Sequence, residues 1–157
     1  MVILAQLMRE GGRRRPVTTM SEILERSAAS AEVSEAARAA IEAADAAFMD
    51  AFNRGDAGAA ARGVYTRDAQ IQPPGAPLVE GRENIADFWA GGQQQLGIQA
   101  AQLSTVKLRQ AGPYIHQLGA FTLIFADGAQ ATGKYAVLWR EEDGELKWDV
   151  DTWNMDA

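Results

Sequence analysis

Apolar positions along this chain keep one period up to about residue 98 and another after it. Val33, Ala37, Ile41, Ala44, Phe48 and Phe52 recur at steps of three and four, which predicts a helix over 33–53 with one buried stripe. Ser34 stands where a helix starts, and Asn53-Arg54-Gly55-Asp56 reads as a stop. Asp56 can cap a short second helix over 57–62. The chain then turns extended over 64–72 and is halted by Pro73-Pro74-Gly75, which continues neither a helix nor an interior strand. A third helix opens at Gly81-Arg82-Glu83-Asn84, buries Ile85, Phe88 and Trp89, and loosens at Gly91-Gly92. Four strand-like runs follow at 99–110, 114–125, 131–140 and 145–154. Their joints are short, two of them containing Asp-Gly, so the four strands are antiparallel neighbours. Helices, one short strand, another helix and a four-strand meander describe an α+β fold with its helices on one face of a curved sheet. The domain is expected over 33–157, with 1–32 as an N-terminal extension, partly flexible or holding a short helix.

Composition narrows the chemistry. A chain of 157 residues suits one domain that buries roughly 70% of its unfolded surface. Net charge is −6, and residues 141–157 hold seven acids against one base, Lys147. That balance repels phosphates and speaks against nucleic acid as a partner. Without cysteine there is no thiolate nucleophile, disulfide or Cys-based metal site, and one histidine excludes a multi-His site. The apolar run Met1–Met8 is too short to span a bilayer, and its arginines follow it rather than precede it, so a cytoplasmic location is expected. Arg13-Arg14-Arg15 could touch an acidic partner or simply be solvated.

The last predicted strand carries the most chemistry. Period-2 geometry puts Asp149, Asp151 and Trp153 on one face and Trp148, Val150 and Thr152 on the other. A face with two carboxylates and an indole is either a solvated surface or the floor of a pocket.

Ile71–Asp87, with Gln72-Pro73-Pro74-Gly75-Ala76-Pro77 leading into Val79-Glu80-Gly81-Arg82-Glu83-Asn84-Ile85 and then Phe88-Trp89, resembles the nuclear transport factor 2-like superfamily. Gly133-Lys134-Tyr135, Trp139, Asp143-Gly144 and Asp151-Thr152-Trp153-Asn154 strengthen the likeness to its small ketosteroid-isomerase-homologue and SnoaL-like members. The resemblance implies a cone, in which a bent antiparallel sheet wraps about three N-terminal helices and leaves a pocket between them. It also implies a small apolar ligand, cofactor-independent isomerase, cyclase or dehydratase chemistry, and a homodimer formed through the outer sheet face. Some members only oligomerise or scaffold, so a non-catalytic homodimeric binding domain is the alternative.

Acid–base chemistry of that kind needs a carboxyl group in an apolar pocket, where desolvation raises its pKa. Asp151, in the closing Asp-x-Trp-Asn pattern, is the first catalytic candidate. A structural ion pair with Lys134 or Arg140 is the competing reading. His116 is the second candidate, being the only imidazole; it shares a face with Tyr114, Leu118 and Ala120, opposite Gln117, Gly119 and Phe121. Candidate ligand-binding residues are Tyr65, Gln70, Gln72, Phe88, Trp89, Gln117, Lys134, Trp153 and Asn154. Where an isomerase would carry its base, Gln70 and Gln72 stand instead, and amides do not abstract protons near neutral pH. Asp68 is expected to cap a turn, and Asp45 and Asp50 to be solvated on the first helix. No metal or cofactor site is expected.

Overall fold

The computed structural model describes residues 19–21 and 32–157. The chain divides into Met1–Ser30 and the compact unit Ala31–Ala157; the expectations for 1–32 fall almost wholly outside the described residues. Within the larger unit, helices α1 (Glu35–Asn53) and α2 (Ala57–Val64) lead into strand β1 (Tyr65–Gln72) and the two-residue β2 (Val79–Glu80). Helix α3 (Arg82–Leu96) precedes β3 (Ile98–Ala111), β4 (Tyr114–Phe125), β5 (Gln130–Glu142) and β6 (Glu145–Met155).

Local chemistry sets most of these boundaries. Ser34 caps α1 by accepting from the Ala37 N–H at 3.1 Å, and Asp56 caps α2 through Ala59 at 2.9 Å. The corner between them is closed from α3, where buried Gln93 accepts from the Ala57 N–H at 3.1 Å and donates to the Phe52 carbonyl at 2.7 Å. One side chain thus satisfies two groups that helix ends leave unpaired. Gly91-Gly92, expected to loosen the end of α3, does not end it. Helix α3 runs on to Leu96 because Gln93 anchors it there, and it stops at Gly97. The β5–β6 hairpin turns on Asp143 and Gly144, both with positive φ (55° and 81°), the conformation that matches the twist of two-residue hairpins.

The sheet has six strands in the order β2-β1-β6-β5-β4-β3. It is mixed rather than wholly antiparallel, because β1 lies parallel to β6 while the other four pairings are antiparallel. Helix α3 and the meander carry the chain from β1 across the sheet and back to it, the long crossover that parallel neighbours need. Aromatic rings lie across two glycines on the neighbouring strand. Gly119 pairs with Tyr135 and Gly133 with Phe121, and a Cβ on Gly119 would stand 2.1 Å from the Tyr135 ring. The core fills the inner face, with Ile41, Phe48 and Phe52 of α1 and Ile85 of α3 against Tyr65, Ile71, Val137, Trp139 and Trp148 of the sheet. Among the described residues no helix is long and apolar enough to cross a membrane.

Candidate functional site

A bulge in β6 decides what faces the core. Trp139 pairs with Trp148 and Leu138 with Val150, so Asp149 is the extra residue between them. One extra residue reverses the alternation. Trp148 therefore joins Asp151 and Trp153 on the inner side, whereas strict period 2 had placed it on the opposite face. Asp149 leaves the inner face and turns to Thr66 (2.8 Å) and Arg140 (2.9 Å).

The inner side closes over a cavity of about 70 Å³. Phe48 and Phe52 of α1, Trp89 of α3, and Trp148 and Trp153 of β6 line it, with Asp151 among them. Phe121, Tyr135 and three aliphatic side chains complete the wall. Trp89 and Trp153 are stacked, with ring centroids 5.0 Å apart and planes 28° apart. Both are only partly buried, as are Leu103 and Leu123, so these four form the rim.

Asp151 is 3% exposed. Its Oδ2 accepts from the Tyr65 hydroxyl at 2.5 Å, and that hydroxyl accepts from the Trp89 indole N–H at 3.2 Å. The three side chains come from β6, β1 and α3 and form a directed chain of donors that ends on the carboxylate. Burial pushes the Asp151 pKa up to about 7, the Tyr65 hydrogen bond opposes this, and the nearby charge of Asp45 adds to it. Burial and the Asp151 charge hold the Tyr65 phenol well above its ordinary value, so Tyr65 stays a proton-bearing donor.

The expected ion pair is not formed. Lys134 is exposed and binds Asp156 at 2.7 Å, and Arg140 binds Asp149 and Asp68. The sheet holds both cations on its outer side, while Asp151 points inward. Asp68 sits within β1 as the partner of Arg140, not in a turn before the strand.

A second buried acid was missed. Asp45 was expected to be solvated but is 6% exposed. The signal was present: Ile41, Asp45, Phe48 and Phe52 follow steps of four, three and four, so Asp45 lies within the stripe. Its Oδ2 accepts from Gln117 Nε2 at 2.8 Å. Gln117 also donates to Thr105 at 2.8 Å, and its Oε1 accepts from the Trp139 indole at 2.8 Å. Because an indole N–H only donates, it fixes which end of the Gln117 amide faces Asp45. Asp45 Oδ1 and the Trp148 indole nitrogen are buried without a hydrogen-bond partner, close enough for the indole to favour the carboxylate but out of bonding geometry. Burial pushes the Asp45 pKa up to about 6 against those contacts. Tyr135 is raised by burial and by the charges of Asp45 and Asp151, so both acids act on one wall of the cavity.

Of the sequence-predicted residues, the structure gathers Asp151, Trp89 and Trp153 at the cavity, with Tyr65 bonded to Asp151 and Gln117 in the buried network beside it. Phe88 lies edge-on to Trp89 (5.6 Å) and to Trp153 (6.2 Å). Gln70 is engaged with Glu80 at 2.8 Å, Gln72 and Asn154 are exposed, and His116 pairs across to Arg109 and Leu138 on the face opposite Gln117. No group of three or more potential ligands for a metal ion occurs among the described residues.

A curved sheet wrapped round three helices is the fold of the nuclear transport factor 2-like superfamily. A domain of unknown function with a cystatin-like fold from Nostoc punctiforme superposes with a TM-score of 0.70 at 16% identity, over 80% of each chain. A ketosteroid isomerase-like protein from Erwinia carotovora atroseptica gives 0.62 at 22% identity, over 76% of this chain and 95% of that one. An NTF-2-like protein from Shewanella oneidensis gives 0.60 at 14% identity, over 74% and 97%. Within this superfamily the chain belongs to the SnoaL-like domain family, whose model matches residues 46–148. Asp151 lies three residues beyond the matched stretch. No curated protein matches the chain.

Proposed function

We propose that this protein binds a small, largely apolar molecule in the aromatic cavity and moves a proton on it with Asp151. One observation carries the reading: Asp151 is buried, lines an otherwise apolar cavity, and takes its hydrogen bond from a tyrosine instead of a cation. A carboxyl group with a pKa raised to about 7 can accept a proton from carbon or donate one to oxygen near neutral pH. Tyr65, held in its protonated form, orients the acid and shares the charge that develops on it. This is the chemistry of a cofactor-independent isomerase, cyclase or dehydratase. Native mass spectrometry followed by identification of co-purifying molecules tests it. A bound apolar molecule whose turnover is lost in a folded Asp151→Asn variant supports the reading; undiminished turnover in that variant refutes it.

The alternative of a non-catalytic homodimer has its own support on the outer sheet face. Tyr135, Val137 and Trp139 point inward, and the outer face carries Leu118, Ala136, Leu138 and Val150. Leu118 is 36% exposed and the bulged Val106 is 71% exposed, which favours cover by a second copy. Dimerisation is compatible with either reading of the cavity.

A further inference from the structure

We infer that the ligand of the aromatic cavity carries a positively charged nitrogen, as a small tertiary or quaternary ammonium head group seated against Asp151. The inference rests on the cavity being a ligand pocket and not on Asp151 being a catalyst.

Seven aromatic rings, from α1, α3, β4, β5 and β6, line the space. Asp151 is the only carboxyl group among the described lining residues, and no described lysine, arginine or histidine joins it. Asp151 lines the cavity, and its Oδ1 takes no hydrogen bond among the described residues. A second carboxylate, Asp45, lies near enough to act on Asp151, and its own Oδ1 has no partner. Buried acids are ordinarily matched by a cation. Here the cations on the adjoining strands are already committed: Lys134 to Asp156, Arg140 to Asp68 and Asp149, and Lys147 to Glu145.

An aromatic lining around an unmatched carboxylate attracts ammonium ions twice over, through the negative ring faces and through the acid. An anionic ligand would meet two carboxylates and no counter-charge. A neutral apolar ligand would fill the rings and leave Asp151 Oδ1 unpaired. The volume agrees with a head group rather than a polycyclic body, since about 70 Å³ holds roughly five to seven water-sized groups at 10–15 Å³ each. A trimethylammonium group is of that size. Its apolar remainder would leave past the rim formed by Trp89, Trp153, Leu103 and Leu123.

The test titrates the full chain with choline and with its uncharged isostere 3,3-dimethylbutan-1-ol, using benzyl alcohol as a neutral aromatic probe. Tryptophan fluorescence reports occupancy, because three of the four tryptophans line the cavity. Choline is expected to bind at least about tenfold tighter than the isostere. Asp151→Asn should remove that preference, bringing choline to the affinity of the isostere. Trp153→Leu, which keeps the carboxylate, should weaken choline more than the isostere; equal weakening of the two speaks against the inference. Equal or tighter binding of the isostere to the unmodified chain overturns the inference, as does binding of benzyl alcohol without choline, and both leave the pocket standing. If none of the three probes binds, the pocket reading fails and this inference with it.

Discussion

Replacing Asp151 by Asn converts the pKa of the buried acid into a measurable difference in stability. In the unfolded chain the carboxyl titrates near 3.8, and in the folded protein near 7. The folded-state pKa is raised, so the protonated acid suits the fold, and stability is fully present below about pH 3.8. It is lost as pH rises through 7, because the fold must then hold a buried charge. Integrating between those two values gives a loss of about 3 kcal/mol between pH 4.5 and pH 8 for Asp151 alone. Asn cannot titrate, so the variant lacks this loss, while Asp45 and the surface groups titrate in both proteins and largely cancel. The stability of Asp151→Asn relative to the unmodified chain should therefore rise by about 3 kcal/mol from pH 4.5 to pH 8. For a domain of this size that is a relative shift in Tm of roughly 6–12 °C. Urea denaturation of both proteins at pH 4.5, 6 and 8, followed by tryptophan fluorescence, measures it. The groups facing Asp151 are the Tyr65 hydroxyl and, acting through space, Asp45; no cation among the described residues stands against it. A relative stability that stays flat across the range refutes the argument, for it means that Asp151 is as well solvated or as well paired in the fold as in the unfolded chain.

Three further outcomes follow from the same geometry. Tyr65→Phe removes the donor that favours the charged form of Asp151, so the titration midpoint of that carboxyl should move above 7 by carboxyl-carbon NMR, with a stability loss of about 1–3 kcal/mol from the unpaired acid and indole. Gly119→Ala places a Cβ 2.1–2.4 Å from three atoms of the Tyr135 side chain; displacing that ring should cost about 1–3 kcal/mol in chemical denaturation and weaken the cavity wall. Leu118→Glu puts a charge on the outer sheet face opposite the cavity, so it should convert a dimer to a monomer by light scattering without altering ligand affinity; a monomeric mass for the unmodified chain would remove the dimer from the proposal.

Much of the architecture is written in short-range sequence terms. Ser34, Asp56, Pro73-Pro74 and the Asp-Gly turns act within a few residues of where they stand, so helix starts, strand ends and hairpins come out close to their observed positions. Alternation along a strand also groups Asp151 with Trp153 and sets His116 opposite Gln117, without deciding which group faces the core. Asp45 shows a subtler case. Its place in the stripe was legible in the spacing, but charge argued for solvent, and only the amide of Gln117, 72 residues away, makes burial tolerable.

What the tertiary structure alone decided depends on partners distant in sequence. The parallel pairing of β1 with β6 has no local signature, because both strands read the same whichever way their neighbour runs. The bulge at Asp149 reverses parity across it, and it exists only in the pairing of β6 with β5. Above all, the match of Asp151 to Tyr65 rather than to Lys134 or Arg140 needed the sheet to place two cations outside and one phenol inside. Alternation assigns a residue to a side of the sheet; which groups wait on that side is settled only when the helices and the whole sheet close around the same volume.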